Sequence, residues 1–192
     1  LRLPILWNSS GYETLATLEL LEPWIDVYLP DCKTLDAEVS RRFMSAPDYP
    51  TAAREALPRM AEGRPLQFED DRLVRGVVVR HLVLPGFLES TRQVLEWFVR
   101  TLQGKALLSV MLQYTPNARA AGKGGKGTAP QRRVSGEENA QVLSWLKELG
   151  IEDGFVQEPE PDSDWLPDFE RPNPFPEAQA RAIWHYRKGA PS

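Results

Sequence analysis

Cysteine is almost missing from this chain: one residue, Cys32, in 192. A single thiol excludes an internal disulfide, and it cannot alone hold an iron–sulfur cluster, which takes several thiolates. Histidine is nearly as scarce, with two residues. Neither HExxH nor CxxC occurs, and no GxSxG or serine with an evident base is present, so zinc and hydrolytic mechanisms lack support. No run of about 18 apolar residues exists to span a bilayer, and no basic start leads into an apolar stretch. The expected address is the cytoplasm. A charge excess is also lacking: 23 basic residues stand against 27 acidic ones, a net of −4. Such a balance gives no field to draw in nucleic acid or an anionic membrane, and neither is expected as a partner. The sequence opens Leu1-Arg2-Leu3-Pro4-Ile5-Leu6-Trp7 without methionine and enters a strand-like run at once. That start is expected of a chain cut from a longer one.

What is present is ample for a domain. With 42% hydrophobic residues, a chain of this length buries about 70% of its unfolded surface. Ile5 to Trp7 reads as a short strand, and Ser10 with Glu13 has the spacing of a capping box. Leu15, Leu18 and Leu21 then share a helical face that stops at Pro23, and Ile25 to Leu29 reads as the next strand. Residues 34 to 62 read as two helices divided at Pro47-Asp48, with Pro58 expected to bend or end the second and Gly63 closing it. Val77 to Leu84 is an apolar β-branched strand ending at Pro85-Gly86. Ser90 and Gln93 have capping-box spacing before the stripe Val94, Leu95, Phe98 and Leu102. Leu107 to Leu112 is a further strand. Ser135 and Glu138 open a helix with Val142, Leu143, Leu146 and Leu149 inward and Gly150 as its stop. Gly154 to Val156 reads as a last strand. Strands regularly followed by helices imply parallel βα units, hence an α/β fold as an open sheet or a partial barrel.

Two segments break this rhythm. Residues 116 to 133 are glycine-rich and basic, with Arg119, Lys123, Lys126, Arg132 and Arg133, and read as a loop. Its Gly122-Lys123-Gly124-Gly125-Lys126-Gly127-Thr128 lacks the Ser or Thr that a phosphate-binding loop needs directly after its lysine. Residues 158 to 192 form a proline-rich extension carrying aromatics such as Trp165, Phe169 and Phe175. The chain therefore divides into an α/β portion, 1–157, and this extension, 158–192.

Ligands of parallel α/β folds bind where strands end, because the loops there vary without disturbing the core. Those ends carry Asn8-Ser9-Ser10-Gly11, Pro30-Asp31-Cys32-Lys33, Arg80-His81 and Gln113-Tyr114-Thr115. Asn8, Ser9 and Ser10 suit a carboxylate or hydroxyl-rich ligand, although Ser10 equally serves as a plain helix cap. Asp31 and Lys33 share one face of an extended chain, one accepting from an ammonium and the other pairing with a carboxylate; a mutual ion pair is the simpler account. Arg80 sits in an apolar strand, so its guanidinium must find an anion or solvent. His81 points to the opposite face, where a structural role is the ordinary one. The set fits a small zwitterion.

The stretches Leu6-Trp7-Asn8-Ser9-Ser10-Gly11-Tyr12-Glu13, Asp26-Val27-Tyr28-Leu29-Pro30-Asp31-Cys32-Lys33, Val79-Arg80-His81-Leu82-Val83-Leu84-Pro85-Gly86 and Met111-Leu112-Gln113-Tyr114-Thr115-Pro116 resemble successive strand ends of radical S-adenosylmethionine (SAM) proteins. Similarity is greatest to the group resembling pyruvate formate-lyase activating enzyme, over about residues 3 to 157. The resemblance implies a partial (β/α)6 TIM-like barrel whose first strands are absent from this chain. It also implies a 4Fe-4S cluster on a CxxxCxxC loop in those missing strands, with no metal ligand in this chain. In such enzymes one-electron reduction cleaves SAM to a 5′-deoxyadenosyl radical that abstracts hydrogen. Asn8, Ser9, Ser10, Asp31, Lys33 and Arg80 are then the implied SAM contacts, with Lys33 and Arg80 on its carboxylate. Implied partners are a protein substrate and an electron donor such as a flavodoxin. Thr115 stands where the activating enzymes carry a histidine, and the resemblance leaves the catalytic residue unknown. Two alternatives are a cluster-free binding or regulatory module derived from such a barrel, and a lyase or aldolase using Lys33 as an amine nucleophile.

Overall fold

The computed structural model describes residues 3–116, 130–152 and 154–157. Eleven elements follow in order: β1 (Leu6–Ser9), α1 (Leu15–Leu21), β2 (Val27–Pro30), α2 (Ala37–Met44), α3 (Tyr49–Gly63), β3 (Gln67–Glu69), β4 (Arg72–Leu82), α4 (Leu88–Thr101), β5 (Leu107–Met111), α5 (Gly136–Glu148) and β6 (Gly154–Gln157). The extension 158–192 and most of the basic loop lie outside the described residues.

Five strands pair in parallel in the order β1-β2-β4-β5-β6, and β3 joins antiparallel to β4. Because the parallel strands are laid down in chain order, every crossover steps the same way. Right-handed crossovers then put all helices on one face, which is how a barrel segment is built. The described strands do not close into a ring. Burial follows this layering. Val77, Val79 and Val83 of the β4 segment pack with Leu57, Met60, Leu95 and Phe98 from the helices in a single core. Alternate residues Val78, Arg80 and Leu82 face the other way and are half-buried, the side that is interior in a closed barrel. The free edge at β1 is apolar and open, with Leu3 71%, Ile5 50% and Leu6 54% exposed.

Several local expectations need correction. Ser10 and Glu13 do not cap α1: Thr14 does, its hydroxyl accepting from the Thr17 amide at 3.2 Å, while Glu13 accepts from the Trp7 indole at 3.2 Å. The positive φ of Gly11, 68°, turns the chain away before a helix can start at Ser10. Of the α1 leucines, Leu18 is buried and Leu15 is 44% exposed. Ser90 and Gln93 form no capping box either, since α4 already begins at Leu88 and Ser90 is buried against Thr34, their hydroxyls 2.6 Å apart. The Ser135–Glu138 box is present in full.

Pro58 does not end α3, which runs on to Gly63. A mid-helix proline costs about 3 kcal/mol, and burying Ala56, Leu57, Met60 and Ala61 on the core offsets it at roughly 1.5–3 kcal/mol for each large side chain. The β3–β4 hairpin escapes the sequence pattern. Asp70 and Asp71 have φ 45° and 63°, the two positive values of a type I′ turn, so β4 starts at Arg72 and not at Val77.

Candidate functional site

β1, β2 and β4 end side by side, and their registers decide which polar groups meet. Asn8 is level with Leu29 in the β1–β2 pairing, and Asp31 forms a bridge to Arg80. On the face opposite the helices the result is a connected charge network. Arg80 Nη2 lies 2.7 Å from Asp31 Oδ1 and 2.6 Å from Asn8 Oδ1. Lys33 Nζ donates to Asp31 Oδ2 at 2.6 Å. The side chains of Asp31, Arg80 and Lys33 are 17%, 24% and 38% exposed, so the network opens to solvent at its lysine end. Arg80 Nε is buried without a hydrogen-bond partner among the described residues, leaving one charged donor unspent.

Of the expected site residues, Asn8, Asp31, Lys33 and Arg80 thus come together. Ser9 instead stabilises its own turn, its hydroxyl accepting from the Gly11 amide at 3.3 Å, and Ser10 contributes its carbonyl to a tyrosine. That tyrosine, Tyr49 at the first turn of α3, went unrecognised in the sequence. Its hydroxyl lies 2.8 Å from the Ser10 carbonyl and 2.9 Å from the Asp31 carbonyl, and it accepts from the Lys33 amide at 2.9 Å. Tyr49 is 2% exposed, and burial pushes its phenol far above the ordinary range, so it serves as a donor. Gly11 closes the same junction: a Cβ there would fall 2.2 Å from the Asp31 carbonyl oxygen.

Beside the network lies a cleft of about 280 Å³ lined by Asp31, Lys33 and Arg80 at one side and by Phe43, Met44, Leu82, Leu84 and Met111 elsewhere. A charged end and an apolar body suit a ligand of the same division. Phe43 meets Phe87 edge-on at 4.9 Å between ring centres, and the Arg42 guanidinium lies over both rings. The end of α2 is thereby fixed against the loop after β4. Glu138 holds that loop from the other side, accepting from the Gly86 amide at 2.7 Å and from Arg132.

His81 takes no part in the site. It is 2% exposed in the core, with Nδ1 2.7 Å from the Cys32 carbonyl and Nε2 3.0 Å from the Thr91 hydroxyl. The carbonyl can only accept, so Nδ1 carries the proton and Nε2 accepts from Thr91. Cys32 is fully buried and its thiol is pushed up to about 12 by burial, which makes it an inert core residue. Among the described residues no group of three or more His, Cys, Asp or Glu lies together to hold a metal ion, and no helix is long and apolar enough to cross a membrane. At the end of β5, Gln113 donates to Gln157 on β6, and Thr115 bonds only weakly back to the Gln113 carbonyl at 3.5 Å.

No family model matches the sequence. The chain is 29% identical over 150 residues to the uncharacterized protein MJ0674 of Methanocaldococcus jannaschii, a match covering 78% of this chain and 40% of that protein. It therefore spans well under half the length of that relative. In structure it is similar to a domain of pyruvate-formate lyase-activating enzyme from Bacteroides vulgatus, with a TM-score of 0.53, 13% identity and 80% of each chain covered. At that identity the likeness establishes the fold alone: an α/β domain on a parallel sheet, of the kind seen in an activating-enzyme domain.

Proposed function

We propose that this chain is the C-terminal part of a radical SAM enzyme similar to pyruvate formate-lyase activating enzyme, with its 4Fe-4S cluster held by an upstream segment of the full-length protein. The observation that carries this reading is the Asn8–Arg80–Asp31–Lys33 network at the carboxyl ends of three parallel strands. The greater length of the relative leaves room for a further segment, and the open apolar edge of β1 supports strands beside it. With that segment the protein acts as an oxidoreductase on a protein substrate and draws electrons from a small carrier such as a flavodoxin.

The residues present fit SAM. The unpartnered Arg80 Nε and the half-exposed Lys33 ammonium would hold its carboxylate, and Asp31 would accept from its ammonium or a ribose hydroxyl. Asn8 fixes the Arg80 guanidinium, and Ser9 and Ser10 shape the turn beside it. The apolar walls Leu82, Leu84 and Met111 would cover the adenosyl group and exclude water from it. When bound and reduced, SAM supplies an organic radical able to abstract hydrogen. Lys33 is not a free amine nucleophile, since its Nζ is ion-paired to Asp31 at 2.6 Å, which sets the aldolase reading aside.

The test is equilibrium dialysis of labelled SAM against full-length protein reconstituted with iron and sulfide under anaerobic conditions. Wild type should bind, and Arg80→Met and Lys33→Met should each weaken binding by about tenfold, as expected when a charged partner is lost. A wild-type protein that binds no SAM sinks the proposal. Binding that is equally tight without iron favours a cluster-free binding module.

A further inference from the structure

Tyr49 stands outside the charge network yet bonds to the backbone of two of the segments that carry it, those following β1 and β2. Its hydroxyl has one hydrogen and two lone pairs. The Ser10 and Asp31 carbonyls compete for the hydrogen, at 2.8 and 2.9 Å, and the Lys33 amide donates to the oxygen at 2.9 Å. These partners lie 39, 18 and 16 positions away in the chain. One side chain thus joins the loop after β1, which begins at Ser10, to the loop after β2, which carries Asp31 and Lys33.

The junction admits little play. The Asp31 amide donates to the Ser9 carbonyl at 3.0 Å and the Cys32 amide to the Arg80 carbonyl at 2.7 Å. Gly11 packs so close to the Asp31 carbonyl that no Cβ fits between them. From below, the Tyr12 ring lies 5.6 Å from that of Tyr49. The backbone on both sides of the Asp31 side chain is pinned, and the Tyr49 hydroxyl bonds to both loops at once.

We infer that Tyr49 is the positioning residue of the site, fixing the Ser9–Gly11 turn and the Asp31–Lys33 turn in the spacing that a zwitterionic ligand requires. The inference rests on the SAM reading given above. Tyr49 itself contacts no ligand; it acts through the backbone that aims Asp31 and Lys33. Without the hydroxyl, two carbonyls and one amide lose a buried partner and the turns relax toward separate conformations, so that ligand binding must order them again.

The experiment compares full-length wild type, Tyr49→Phe and Met60→Ala, reconstituted as before, by SAM dialysis, thermal melting and the SAM dependence of its reductive cleavage. Met60 lies on the same helix, buried in the core and away from the hydroxyl. Tyr49→Phe is expected to weaken SAM binding about tenfold and to raise the half-saturating SAM concentration similarly, with the saturated rate within about twofold of wild type. Met60→Ala should lower the melting temperature at least as much and bind SAM like wild type. If wild type binds SAM and Tyr49→Phe binds it equally well, the positioning role is overturned while the SAM reading stands. Equal loss of binding in Met60→Ala reduces Tyr49 to a stabilising residue and also overturns it. No binding by wild type removes both.

Discussion

Arg80 and Asp31 face each other across the β2–β4 boundary as a backbone bridge and as an ion pair of 2.7 Å. The carboxylate is shared, with Lys33 on its other oxygen, so one anion faces two cations. Removing Asp31 leaves two half-buried positive groups without their anion, whereas removing Arg80 leaves the Asp31–Lys33 pair intact. Asp31→Asn is therefore expected to destabilise more than Arg80→Met. In a double-mutant cycle read by urea unfolding, the pair should show a coupling of about 1–2 kcal/mol. Additive effects would mean that the two groups do not interact in solution.

Gly11 and Gly104 separate backbone strain from collision. Both have positive φ, 68° and 77°, but a Cβ at Gly104 meets nothing within 4 Å whereas one at Gly11 strikes the Asp31 carbonyl. Gly104→Ala should cost about 1 kcal/mol for the left-handed backbone alone. Gly11→Ala should cost clearly more, about 3 kcal/mol or above, and should disturb SAM binding because the turn carrying Asp31 must move. Equal costs in urea unfolding would show that the loops after β1 and β2 yield easily.

The sequence makes Asp31, Lys33 and Arg80 visible because each is a charge placed at or in an apolar β-branched run, where only a partner or solvent can satisfy it. The order of strands and helices is legible for a similar reason, since period and turn residues are local properties. Tyr49 is not legible: nothing near Pro47-Asp48 says that its hydroxyl will meet backbone 39 positions earlier. Phe43 and Met44 line the cleft, and nothing in the helical pattern around them marks them for it. The Ser10–Glu13 spacing misleads because capping depends on backbone dihedrals, and Gly11 sets those. The β3 strand is three residues long, too short for alternation to register.

Among the described residues, His81 and Glu138 respond to acid in different windows. Burial in the core holds His81 below the ordinary histidine range, opposed by its bond to the Cys32 carbonyl. The unfolded chain therefore takes up this proton first, from about pH 6.5 downward. Stability from a neutral His81 is full above that pH and is lost as pH falls toward the folded value, at no more than about 1.4 kcal/mol per pH unit. Glu138 is shifted down to about 2, chiefly by Arg132, with the Ser135 and Gly86 amides adding to it. Its contribution is full above the ordinary glutamate value of about 4.3 and is lost as pH falls from there to about 2. Urea midpoints measured from pH 8 to pH 3 should therefore fall in two stages. His81→Gln should flatten the first and leave the second, and Glu138→Gln should do the reverse. A first stage that survives His81→Gln would show that another group, and not the buried imidazole, takes up the proton.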